Sequence, residues 1–386
     1  MPQKVDAPRG FRSFATNLGI KDDTKDFVCV VSAIPCQVAG MFTQSRFAGP
    51  SVVLSREHVK DGQAQAVVVI SKNANVATGT TGVMDAKEIV QMAAHSLSIL
   101  PENVLIASTG VIGIPYPMEK IRPVMASLNE KMKPADFEEA AQGIMTTDTV
   151  PKFMTVRVGD ATLTGIAKGV AMMEPNMATL LVFFFTDAAI EGKTLQSLFH
   201  RVVNQTFNSI SIDTDTSTSD TAFILSNGLA GEVNVREFEL ALEKIATYLI
   251  KKLLKDGEGA TKLLEVLVAT ARDDAQTKRV AKAIINSPLI KTAIHGADPN
   301  WGRVAMAIGK CSDETDIVPE KTIIRFGEME VYPRQIDAHK LSQLKRIMTG
   351  DEITIQVDLN IRNGQARVWG CDLSAMYVQR NSEYTT

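Results

Sequence analysis

Apolar positions recur along the chain with two periods that take turns. β-branched runs and strict alternation read as strands, whereas apolar residues spaced three and four apart read as helices. Residues 66–71 form a strand, the polar stretch NANVATGTTG a loop, and residues 85–100 a helix. A short buried strand follows at 103–107, then the glycine-bearing loop STGVIG, a helix over 118–131 and another over 136–145. Residues 153–158 and 161–166 flank Gly159 and Asp160 as a hairpin, and KGVAMMEPNMA makes a loop. It runs into residues 179–186, a continuous apolar stretch expected to be a strand buried on both faces. The second half continues with a helix at 195–205, the polar loop DTDTSTSDT, a strand at 222–225 and a long helix over 235–254. A strand at 264–271, helices at 274–285 and 304–310, and a hairpin over 322–332 turning at Gly327 come next. A helix at 338–348, strands at 352–359 and 366–372, and a polar tail close the chain. Strands and helices are intermixed, which predicts an α/β or α+β sandwich. No repeat, low-complexity stretch or flexible linker interrupts the pattern.

Composition changes this picture little. A hydrophobic fraction of 45%, a charged fraction of 22% and 386 residues describe an ordinary globular protein, large enough for two domains or for one body with a lobe. The formal charge of −3 argues against a nucleic-acid role, which needs a basic face that the chain does not advertise. The start, MPQKVDAPRGF, has no apolar core for a secretory signal. The longest apolar run falls far short of the roughly 20 residues that cross a bilayer. Cys29, Cys36, Cys311 and Cys371 form no CxxC pair and are expected to be reduced thiols. These readings predict a cytoplasmic protein without metal or cofactor, whose partners are small molecules and other protein chains.

Five segments could carry chemistry. In KGVAMMEPNMAT, Pro175 and Asn176 make a turn, and Ala178 precedes a threonine that opens a buried strand. A threonine hydroxyl needs a base beside it, and an N-terminal threonine has one in its own amine. Cutting Ala178–Thr179 by an N→O acyl shift would free that amine, whose unperturbed pKa of about 7.7–8.0 suits a general base. Spacing alone reads the same threonine as an ordinary strand residue. ASTGVIG, at 107–113, can aim backbone N–H groups at an anion, but lacks the GK[ST] ending of a P-loop. DTDTSTSDT has Thr218 and Ile224 where a calcium loop needs glycine and glutamate, so a hydrogen-bonded turn is expected. DGEGATK places Glu258 at a helix end, with Gly257 as a left-handed cap or Glu258 receiving a ligand ammonium. HGADPNWGR reads as a turn capped by Asp298 or Asn300, with a structural His295.

Together these segments resemble one family. KGVAMMEPNMATLL is similar to the cleavage motif of the ornithine acetyltransferases. IASTGVIG, IMTTDT, SIDTDTSTSDT, DGEGATK, GADPNWGRVAMAIGK and NSEYTT follow in that family's order, from about residue 10 to the end. The resemblance implies an αββα-type sandwich core with a smaller C-terminal α/β lobe at about 270–386. It implies autoproteolysis into an α chain, 1–178, and a β chain, 179–386, and an α2β2 assembly. Thr179 would carry the acetyl group, and Thr109 and Gly110 would form the oxyanion hole. Thr146, Lys168, Thr179, Glu258, Asn381 and Thr386 would line the pocket for N-acetylornithine and glutamate. By charge, Lys168 suits a substrate carboxylate and Glu258 the ornithine ammonium. Ala171, Glu174 and SIDTDTS depart from the commonest family pattern and resemble the branch associated with clavulanic-acid-type clusters. The competing expectation is an N-terminal-threonine amidase or aminopeptidase, with water as acceptor. A phosphate- or metal-binding module built on the two polar loops meets neither motif.

Overall fold

The computed structural model describes residues 6–174, 180–334 and 337–383. Within them the first half runs β1 (Phe11–Thr16), β2 (Phe27–Phe42), α1 (Pro50–His58), β3 (Gln63–Ile70), α2 (Gly79–Leu97), β4 (Val104–Ser108), α3 (Met118–Ala126) and α4 (Leu128–Lys131). It continues with β5 (Lys133–Pro134), α5 (Phe137–Gly143), β6 (Lys152–Val158), β7 (Ala161–Lys168), β8 (Leu181–Ala189) and α6 (Gly192–Gln205). The second half holds β9 (Ile210–Ser211), β10 (Thr221–Glu232), α7 (Val235–Lys255), β11 (Leu263–Ala271), α8 (Asp274–Ile285), α9 (Pro288–His295) and α10 (Trp301–Gly309). Last come β12 (Ile323–Phe326), β13 (Met329–Tyr332), α11 (Ala338–Met348), β14 (Glu352–Asp358), β15 (Gly364–Cys371) and α12 (Ala375–Glu383). The class is mixed α/β, as the alternation predicts. The chain divides into two compact units, the second made of Ser209–Asp215 and Leu254–Thr385.

The first unit is built on a nine-stranded sheet whose main path is β4-β3-β2-β10-β8-β7-β6, with β1 and β5 attached at β2. Its pivot is β2. The first part of β2 pairs with β3 and β1, and its last residues pair with β10. Between Val31 and Cys36 the register shifts. Pro35, which has no N–H for the ladder, sits inside that irregularity. The sheet folds over there. Val28, Val30, Val67 and Val69 from one half share a core with Phe183, Phe185, Phe223 and Leu225 from the other. The opposite face of the first half, through Cys29, Val68 and Ile106, packs on α2 and α3. The opposite face of the second half packs on α6, where Phe199 meets Phe184 edge-on at 6.1 Å. Helix α7 covers it as well, since a Cβ at Gly165 would lie 2.7 Å from Ile245 Cγ2. The four layers are therefore helix, sheet, sheet and helix, the αββα order implied by the resemblance.

β8 shows how the sequence produces this. Its residues from Leu181 to Ala188 are all buried. Phe183 and Phe185 face the inner core, where Phe183 stacks on Phe223 at 5.6 Å and Phe137 of α5 reaches Phe185 at 5.0 Å. Phe184 points the other way. A strand with helices beyond one face and a second sheet beyond the other must be apolar throughout.

The second unit has a six-stranded sheet in the order β13-β12-β14-β11-β15-β9. Leu264, Val266 and Val268 of β11 and Ile353, Ile355 and Val357 of β14 form one apolar face with α8, α9, α10 and α11. Glu265 and Arg367 pair at 3.1 Å from the alternate positions of β11 and β15.

Three expectations need correction. Residues 11–58 hold two strands and a helix where the sequence pattern suggested none. The helix expected over 118–131 is two helices that break at Ser127, whose hydroxyl donates to Pro123 O at 3.3 Å while its N–H turns to Met125 O. The polar tail is helical over Ala375–Glu383, with no buried residue.

Candidate active site

Thr109 and Gly110 follow β4, which is buried at every position. Residues 72–76 clamp the loop that they open. Thr109 N–H donates to Ile70 O at 3.1 Å, Val111 N–H to Lys72 O at 3.4 Å, and Ala74 N–H to Val111 O at 3.0 Å. The clamp leaves no space for a side chain at Gly110, whose φ is +132°. A Cβ there would lie 2.2 Å from the Lys72 carbonyl carbon. The clamping strand end is itself unusual, with Lys72, Asn75 and Ala77 at φ of 69°, 49° and 58°. Non-glycine residues seldom adopt that conformation, so surrounding bonds must hold it. Lys72 Nζ supplies some of them, reaching Asp22 Oδ1 at 2.5 Å and Thr24 O at 2.9 Å. The same contact holds the Asp22 carboxyl down at about 2.

No hydrogen bond among the described residues uses the Gly110 N–H. Beside it, Lys168 at the end of β7 donates from Nζ to Thr109 Oγ1 at 3.3 Å. An ammonium only donates, so this contact occupies a lone pair of the hydroxyl and leaves its proton for another acceptor. One backbone N–H and one hydroxyl, next to a cation, make an arrangement suited to a developing oxyanion.

Asp148 ties the surrounding segments together. Its side chain has no exposure, and Oδ1 accepts from Lys152 Nζ at 2.7 Å and from Gly169 N–H at 2.8 Å. Oδ2 accepts from Thr146 N–H at 3.2 Å. Burial alone would raise this carboxyl, but the charges of Lys168 and Lys152 and its hydrogen bonds hold it below the usual range. Thr146 thus joins the cluster through its backbone. Asp220 precedes β10 and is 1% exposed. Burial pushes its carboxyl well above the usual range, against the pull of the Leu180 amide and the Lys168 charge. The two carboxyls around Lys168 are held in opposite directions.

Ala178 and Thr179 lie outside the described residues, as does Thr386; the description resumes at Leu180. In the second unit, Asn381 Nδ2 donates to Glu258 Oε2 at 2.8 Å, so two predicted pocket residues do meet. The left-handed glycine of that turn is Gly259, with φ +71°, and not Gly257. His295 Nδ1 lies 2.7 Å from Asp372 Oδ2, which also accepts the Thr261 hydroxyl at 2.6 Å, in keeping with a structural histidine. Asn300 caps α10, its side chain accepting from Arg303 N–H at 3.3 Å. The loop before β10 is a hydrogen-bonded turn, with Ser219 N–H on Ser217 Oγ at 3.1 Å and Thr43 Oγ1 donating to Ser217 O at 2.7 Å. All four cysteines are free, and burial pushes the Cys29 and Cys36 thiols up to about 12.

Asp148, Lys152, Lys72 and Asp220 did not stand out in the sequence. Asp148 lies inside IMTTDT and Asp220 inside DTDTSTSDT, so both segments were visible while the particular carboxylates were not. A lysine opening a strand has no signature that separates it from a surface lysine.

The fold is of mixed α/β architecture, and the Thr109–Gly110 loop beside Lys168 is an arrangement suited to acyl transfer. The ArgJ family model matches residues 12–386. The chain is 58% identical over 379 residues to a Nostoc sp. protein named arginine biosynthesis bifunctional protein ArgJ 2, covering 98% of both. It is 55% identical over 385 residues to glutamate N-acetyltransferase Oat2 of Streptomyces clavuligerus, again covering 98% of both. The chain belongs to the ArgJ family, and it is an acetyltransferase. Among solved structures, an arginine biosynthesis bifunctional protein argJ from Bacillus halodurans is 37% identical, with a TM-score of 0.48, over 51% of this chain and 96% of that one.

Proposed function

We infer that this chain moves an acetyl group from N2-acetylornithine to glutamate, through an acetyl ester on Thr179, once its own Ala178–Thr179 bond is cut. The unspent Gly110 N–H beside the Thr109 hydroxyl is the observation that carries the reading. Relatives named for glutamate N-acetyltransfer and for arginine biosynthesis support the substrates and the pathway.

In the first half-reaction the Thr179 hydroxyl adds to the acetyl carbonyl while the α-amine takes its proton. The tetrahedral oxyanion is met by Thr109 Oγ1–H and Gly110 N–H. Collapse breaks the amide C–N bond, and the same proton goes to the departing nitrogen of ornithine. Glutamate then attacks the ester through an equivalent oxyanion, so one pair of donors serves both directions. Lys168 suits the substrate carboxylate and Glu258 the ornithine ammonium, with Thr146, Asn381 and Thr386 completing the pocket. The α chain, 1–178, and the β chain, 179–386, remain together, assembled as α2β2 in the cytoplasm. No helix among the described residues is long and apolar enough to cross a membrane.

Denaturing intact mass spectrometry beside a Thr179→Ala control tests this. Two fragments dividing at Ala178–Thr179, absent from the control, are expected, with acetyl transfer from N-acetylornithine that depends on glutamate. An uncut, inactive chain would refute the mechanism. Deacetylation that proceeds equally without glutamate would favour the amidase reading.

A further inference from the structure

Lys72 carries an inference that rests on the reading of the Gly110 N–H as an oxyanion donor. Its backbone has φ of 69°, a conformation that is strained for a lysine and free for a glycine. Its side chain is 3% exposed, although burying an ammonium is costly unless its donors are met. Both penalties fall on one position, directly behind the oxyanion loop. The Lys72 carbonyl accepts Val111 N–H at 3.4 Å, and its carbon is the atom that a Cβ on Gly110 would strike.

What the side chain reaches explains the choice of residue. An ammonium has three donors, and Lys72 Nζ has three acceptors: Asp22 Oδ1 at 2.5 Å, Thr24 O at 2.9 Å and Thr24 Oγ1. Thr24 in turn donates its hydroxyl at 2.6 Å and its N–H at 2.8 Å to the same Asp22 oxygen. These acceptors belong to a loop, residues 17–26, that is stiffened from within. Asn17 Nδ2 donates to Asp22 O and to Thr24 O, both at 2.6 Å. The buried Asp26 carboxylate accepts Leu18 N–H at 2.6 Å and Ile20 N–H at 2.8 Å. Asp26 O also accepts Ser71 N–H at 2.8 Å. The loop therefore grips two successive residues, Ser71 by its backbone and Lys72 by its side chain.

We propose that Lys72 is a positioning residue: anchored in the 17–26 loop, its side chain holds the backbone of residues 72 and 73 against Gly110 and so fixes the aim of the Gly110 N–H. The anchor is a set of hydrogen bonds, and no proton changes owner in it. An oxyanion loop without it keeps the contacts that bind substrate, and misplaces a donor that counts only as the oxyanion forms. The loss therefore falls on kcat and not on KM.

Lys72→Gly removes the anchor and suits the φ, so the backbone path is kept. Asp22→Ala removes an acceptor from the other side, at a half-exposed residue. Asp22→Asn keeps an acceptor oxygen. Each variant is checked for cutting by intact mass, and acetyl transfer to glutamate is assayed well below Tm. Lys72→Gly and Asp22→Ala should each lose about tenfold in kcat, with KM within about twofold of native. Asp22→Asn should stay within about threefold of the native kcat. Lys72→Gly combined with Asp22→Ala should be no slower than Lys72→Gly alone, because the two side chains act as one unit. A role in stability alone would lower Tm and leave kcat native, which would overturn the proposal. So would losses that multiply in the double variant, an Asn variant as slow as the Ala variant, or folded variants that stay uncut. If Lys72→Gly does not fold, Asp22→Ala decides alone. Gly110→Ala is assayed beside them. A native kcat there removes the oxyanion reading and this proposal with it. A slow Gly110→Ala beside native Lys72→Gly and Asp22→Ala removes only the role of Lys72.

Discussion

At Gly110 backbone geometry and chemistry demand the same residue. The left-handed φ and the 2.2 Å approach of Lys72 exclude a side chain. The same geometry leaves the N–H outside every hydrogen bond among the described residues. Gly110→Ala must push the loop off residues 72–73, and kcat for acetyl transfer should fall by about 10²-fold, the usual cost of losing one oxyanion donor. Steady-state kinetics on the cut variant measure it, and an unchanged kcat would remove Gly110 from the site. Asp148 makes a different kind of prediction. Its folded pKa lies below the unfolded value of about 3.9. Its contribution to stability is therefore complete above that value and is lost as pH falls through the lower, folded one. Asp148→Asn strands the buried Lys152 charge and should cost about 3–5 kcal/mol at neutral pH. It should also flatten the acid loss of stability below about pH 4, as read from urea midpoints at several pH values. Thr109, Gly110 and Lys168 stood out in the sequence because each sits in a segment with a chemical reading. Asp148 and Lys152 did not, because only the folded backbone reveals that a carboxylate and a lysine are both buried.

Among elements, β8 was the most legible. An apolar run admits a strand covered on both faces, and the structure provides an inner sheet and an outer helical layer to cover it. Phe184 faces the outer layer, against Phe199 and Phe207 at 6.1 and 6.2 Å. Phe184→Ala should lower unfolding free energy by about 3–5 kcal/mol without altering the oxyanion loop. Urea denaturation checks the first part, and retained kcat on the folded fraction checks the second. Strand β2 was the least legible, although it is the pivot of the fold. Its apolar run breaks at Ala33–Pro35, which are exposed, so the sequence shows two fragments where the structure has one bent strand. Helix α12 was hidden for a related reason. With no buried residue it has no apolar stripe to announce it.

For the whole molecule, composition and alternation gave the class, and the four-layer order came from resemblance. What they could not give was the pairing of segments distant in sequence. β7 and β8 lie antiparallel from Leu163 opposite Thr186 to Lys168 opposite Leu181, and β8 lies parallel to β10. The proposed cut falls between β7 and β8. It would leave a sheet in which one product supplies β1–β7 and the other supplies β8 and β10, woven together along a full strand. Such a molecule has discarded a covalent instruction that it needed to fold. An uncut Thr179→Ala chain, melted and cooled, can find its strand order as a single-chain search and should recover its transition. The cut enzyme must bring two fragments together against aggregation and should not recover, its apparent Tm moving with scan rate. Maturation would then trade reversibility for activity: the mature enzyme folds once, and its lifetime is set by the barrier to its first unfolding.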